Sequence, residues 1–144
     1  MIKPYSSDIL NPLFVENVAR MKSLMEESEK IQSVIVSSAA AANLVMLGGG
    51  YFSPLTGFMN LTDLLSVADC MKMSSGLIWP TPVVNMIKGK SLNEELKQAK
   101  KIALRDPNVV GNPVIAIQSV EKIEQMSKAQ INKTWAAPTY QSLA

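Results

Sequence analysis

The sequence predicts an α+β domain with a helical front and a β-rich rear. Three observations carry that reading. Apolar residues recur at helical spacing through residues 14–25 and again through 61–71. Prolines and β-branched residues gather after residue 76. The heptapeptide "DPNVVGN" (106–112) places turn chemistry between two short apolar segments.

The elements follow in order. Asn11-Pro12 reads as a cap and first-turn proline, with Phe14, Val18, Met21 and Met25 forming the stripe of an amphipathic surface helix. Glu16, Arg20, Lys22, Glu26, Glu27 and Glu29 would be its solvated face. "SVIVS" (33–37) predicts a short strand, and "SAAAANLVML" (38–47) a helix capped by Ser38 and ended by Gly48 to Gly50. A further helix starts near Asn60, with Leu61, Leu64, Leu65, Ala68 and Met71 on one face and Gly76 as its stop. "LIWPTPVVNMI" (77–87) holds two prolines and a β-branched run. "KKIALRDP" (100–107) and "NPVIAIQSVEKIEQ" (112–125) predict the two strands of a hairpin, with a bulge near Ser119.

Composition narrows the function classes. The chain has 144 residues, 47% of them hydrophobic and 18% charged, with 14 basic against 12 acidic side chains. That is the profile of one globular domain, too nearly neutral to argue for nucleic acid. The single cysteine, Cys70, has no partner for an internal disulfide and reads as a small buried hydrophobe. The opening "MIKPYSSDILNP" lacks a signal-peptide core, and "AAAANLVML" is about half the length a membrane span needs. A soluble cytoplasmic protein is the expectation. There is no histidine at all, which removes Ser-His-Asp and Cys-His catalysis and histidine-ligated metals from this chain.

"GGGYFSPLTGFMN" (48–60) is the stretch that most invites a functional reading, because glycine-rich loops cradle phosphates. It contains no lysine. Gly89-Lys90-Ser91 matches the end of a P-loop, but the glycine needed five positions earlier is Val84. A dinucleotide fingerprint is missing too. The composition suits packing better: Phe52, Leu55, Phe58 and Met59 lie three or four apart, an apolar plug on a tight loop. Pro54 would fix its first turn and Gly57 would permit a close approach or positive φ. Lys88, Lys90, Lys97, Lys100, Lys101 and Arg105 read as ordinary solvated side chains, with no interleaved aromatics for stacking bases. The adjacent pairs Glu26-Glu27 and Glu94-Glu95 diverge by about 100° on a helix and make no catalytic dyad.

A resemblance adds to this reading. "YFSPLTGFMN" (51–60) resembles the N-terminal signature of the ATP sulfurylases, or sulfate adenylyltransferases. "MIKPYSSD", "SVIVSSAAAANLVMLGGG", "SSGLIWPTPVV" (74–84) and "IALRDPNVVGNPVIAI" (102–117) resemble family segments in the same order, the first of them as found in sulfur-oxidising bacteria. Residues 1–135 would then form a PUA-like domain, a small β-barrel-like sheet with accompanying N-terminal helices. The resemblance implies that catalysis belongs to a following domain with Q-x-R-N-P, H-x-x-H and G-R-D-H motifs. There a sulfate oxygen attacks the α-phosphorus of ATP, with magnesium as the parent's metal, and pyrophosphate leaves. None of those motifs occurs in this sequence, so no catalytic, cofactor-binding or metal residue carries over. The implied task is scaffolding: docking on the catalytic domain through an apolar face including Phe52, Leu55, Phe58 and Met59, with homo-oligomer packing as a second role. The tail "AAPTYQSLA" (136–144) departs from the family pattern and reads as a divergent, truncated end, with the catalytic domain absent. Two rival readings stay open, a free-standing PUA-like module that binds RNA and a protein-interaction domain using the plug. Balanced charge and few aromatics count against RNA.

Overall fold

Packing divides the residues described by the computed structural model, Tyr5 and 9–135, into two units. The first comprises the described residues up to Gly57 together with 85–123, and the second 58–84 together with those from Glu124 on. The expected tail, 136–144, lies outside the described residues.

The first unit is organised by a central strand. Helix α1 (Val18–Ser28), strand β1 (Ser33–Ile35) and helix α2 (Ser38–Gly48) come from its N-terminal part. A 3₁₀ turn at Gly89–Ser91, the short helix α4 (Glu94–Gln98) and strands β2 (Lys101–Arg105) and β3 (Val114–Ser119) come from 85–123. Helix α3 lies between, at Leu61–Cys70, and belongs to the second unit with α5 (Lys128–Trp135). The strands form one mixed sheet in the order β1-β2-β3, parallel then antiparallel. Ile102, Ala103 and Leu104 of β2 are all buried, so the middle strand is covered on both faces. Such a strand reads as an unbroken apolar run, and the alternation seen in its sequence understated its burial. Val36, Ala40, Ala41, Leu47 and Leu96 complete this core. Each fully buried Leu or Val contributes roughly 1.5–3 kcal/mol.

The hairpin is the element the sequence described best. Asp106 accepts from the Asn108 amide at 2.8 Å, and the Asn112 side chain donates to the Asp106 carbonyl at 2.7 Å. Gly111 (φ 83°) and Asn112 (φ 44°) supply the left-handed turn that β-branched residues resist. The bulge lies elsewhere than expected. Leu104 pairs with Ala116 and Arg105 with Val114, so the extra residue is Ile115, at the hairpin end rather than near Ser119.

Three helix boundaries also differ. α1 starts at Val18, with the Asn17 side chain accepting from Arg20 N at 2.9 Å, because Asn11 to Phe14 are engaged elsewhere. α2 is capped by Ser37, whose hydroxyl accepts from Ala40 N, while Ser38 donates to Asn108. α3 is capped by Asn60 as expected, but ends at Met71 in the left-handed region rather than at Gly76.

In the second unit Leu64, Val67, Trp79 and Val83 are buried. Asp63 accepts from both the amide and the hydroxyl of Ser74, and Lys133 meets Asp69 at 2.9 Å, joining α5 to α3. The run 77–87 makes no strand. Pro80 and Pro82 cannot donate to a ladder, and only a single bridge, Lys72 to Ile78, forms there. This is why the barrel-like expectation narrows to an α+β arrangement with a three-stranded sheet that does not close among the described residues.

One ion pair joins α1 to β2. Lys101 Nζ donates to Glu27 Oε1 at 2.6 Å. That hydrogen bond first, and the charges of Lys101 and Arg20 after it, hold the Glu27 carboxyl below its ordinary value of 4.5. A depressed carboxylate contributes stability above its unfolded pKa and loses it as pH falls through the folded one. Lys101→Met should therefore raise the Glu27 pKa toward 4.5, read by NMR titration. The stability gap to wild type should be largest near neutrality and close as pH falls through the carboxylate range. A gap that is flat across pH would remove the pair from the account.

Candidate functional site

The glycine run closes α2 and receives the N-terminal segment. Gly48 O accepts from Leu13 N at 2.8 Å and from Phe14 N at 3.1 Å. A Cβ at Gly48 would stand 2.5 Å from the Phe14 ring, so a larger residue there would make that exposed ring swing aside. At Gly50 φ is +74°, and a Cβ there would lie 2.9 Å from Pro12 N. Ser53 Oγ completes the junction, donating to Gly50 O at 2.7 Å and accepting from Asn11 N at 3.2 Å. The Ser53–Pro54 peptide is cis.

This geometry rules out the phosphate reading on positive grounds. An anion cradle needs backbone N–H groups that point at the ligand. Here Gly49 N donates to Val45 O, Gly50 N to Leu47 O and Tyr51 N to Met46 O. The amides are consumed in ending the helix. Gly57 differs from expectation in another way: its φ is not positive, and a Cβ there meets nothing within 4 Å. The freedom assigned to Gly57 in fact belongs to Gly50.

The apolar plug is not an open face. Phe52, Leu55, Phe58 and Met59 are each partly buried, and they divide between units, Phe52 and Leu55 in the first and Phe58 and Met59 in the second. Exposed apolar side chains lie instead at Phe14, Val18, Met21 and Met25, and on Val45 and Tyr51. The sequence found the α1 stripe but took it for the packed side; the helix instead turns Leu24, Glu27 and Ser28 inward.

The basic residues do not converge. Lys97 pairs with Glu94 at 2.6 Å, Lys101 with Glu27, and Arg105 donates to Asn112 O at 3.1 Å. Among the described residues no group of three or more Cys, Asp or Glu is placed to hold a metal. Cys70 is exposed, not buried as expected, and its thiol donates to Ser66 O. No helix among the described residues is long and apolar enough to cross a membrane.

Comparison with known proteins decides the family. A model of the PUA-like domain matches residues 2–141. The chain belongs to the PUA-like domain family. This PUA-like domain is 48% identical over 131 residues to a sulfate adenylyltransferase of Alcanivorax borkumensis, and 50% identical over 131 residues to one of Allochromatium vinosum. Each match covers 91% of this chain and 32% of the relative. A sulfate adenylyltransferase of the Riftia pachyptila sulfur-oxidizing endosymbiont is 42% identical, with 29% of its length covered. The domain thus spans about a third of the curated relatives it matches, and the resemblance drawn from the motifs is borne out. Among solved structures, a hexameric APS kinase from Thiobacillus denitrificans superposes with a TM-score of 0.67 at 24% identity, covering 89% of this chain and 24% of that one. At that identity the likeness speaks for the fold.

Two outcomes are expected. Gly50→Ala should destabilise the domain by about 1–3 kcal/mol, through a strained backbone and a clash with the chain at Pro12, while Gly57→Ala should stay within roughly 0.5 kcal/mol. Urea melts of the two variants check this, and equal shifts would show that Gly50 carries no special constraint. Affinity for single-stranded RNA at physiological salt should be no tighter than the non-specific range, roughly 10⁻⁴–10⁻⁶ M by analogy with DNA. Fluorescence anisotropy with a labelled oligonucleotide reads it, and submicromolar, steeply salt-dependent binding would revive an RNA role.

Proposed function

We propose that the chain is the N-terminal, non-catalytic domain of a sulfate adenylyltransferase, an enzyme that makes adenylyl sulfate and pyrophosphate from ATP and sulfate. The observation that carries this is the pattern of coverage: 91% of this chain aligns at about half identity with relatives of which it spans 32%. The chemistry of the residues is in keeping. Charge builds on the α-phosphate and leaving pyrophosphate in such a transfer, and stabilising it takes several positioned donors acting together. This chain has no histidine, and the amides of its glycine turn are already spent within α2. ATP, with magnesium, would be held by the remainder of the parent, in the cytoplasm. The domain's part is to fold, to dock on that remainder and to support assembly of like subunits.

Two measurements test the reading. The purified chain, given ATP and sulfate, should release no pyrophosphate beyond background; sulfate-dependent turnover that tracks with the chain would contradict a scaffold role. Residues 1–135 should also substitute for the matching segment of the Allochromatium vinosum relative. The chimera should keep activity within about tenfold of that relative, because a scaffold supplies no transition-state contact. A soluble, folded but inactive chimera would sink the proposal.

A further inference from the structure

We draw no further inference here: the strongest candidate, the exposed apolar patch of Val109 and Val110 at the tip of the β2–β3 hairpin, carries nothing because nothing in the structure shows what covers it.

Discussion

Leu13 N and Phe14 N both donate to the carbonyl of Gly48, and the first unit is arranged around that junction. Two chain segments can share one carbonyl only where nothing stands between them. Glycine at 48 leaves room for the Phe14 ring, and glycine at 50 lets the chain turn beside Asn11 and Pro12. The consequences reach in both directions. Upstream, residues 11–14 are drawn out of helical conformation, so α1 must begin at a later cap, Asn17. Downstream, Ser53 is buried and uses its hydroxyl to secure both Gly50 and Asn11. Buried hydroxyls are tolerated where they are satisfied in this fashion.

β2 provides the second organising constraint. It pairs parallel with β1 and antiparallel with β3, and the two pairings need different connections. The antiparallel side takes a tight hairpin fixed by Asp106, Asn108 and Asn112. The parallel side needs a long crossover. Residues 36–100 serve as that crossover, and within them the chain builds α2, enters the second unit for 58–84 and returns for α4. A PUA-like domain with a small sheet can therefore hold a long helical excursion without adding strands.

What could be read from the sequence was what local chemistry decides. The hairpin and the cap at Asn60 were legible because their donors and acceptors lie within a few residues of each other. The start of α1 was not, because Asn11-Pro12 is a sound local cap overruled by an acceptor at Gly48, 35 residues or so along. The run 77–87 carried opposing local signals: its β-branched residues favour strands, but Pro80 and Pro82 deny a ladder its donors. α5 went unread although a signal was present. Ser127 and Gln130 form a reciprocal cap, Ser127 N donating to Gln130 Oε1 and Gln130 N to Ser127 Oγ. For the candidate site, the sequence separated a phosphate loop from architecture by the missing lysine; the spent amides give the same answer by geometry. It placed backbone freedom at Gly57, since spacing cannot tell which glycine has a neighbouring chain against it.

α1 is where intrahelical preference and fold disagree most. Its apolar stripe faces water, and a serine is buried in its place. The burial costs little, since Ser28 Oγ donates to Met25 O at 2.7 Å and keeps its hydroxyl satisfied within the helix. Leu24 and the Glu27–Lys101 bridge lie on the side of the helix turned toward the unit. The exposed side forgoes only part of the roughly 1.5–3 kcal/mol that full burial of each side chain would give, since Val18, Met21 and Met25 are already partly covered. A helix that needed this stripe for its own folding would have turned it inward, as α3 does with Leu64 and Val67. The exposed stripe therefore adds little to the first unit's own core, and polar replacements along it should leave that core intact.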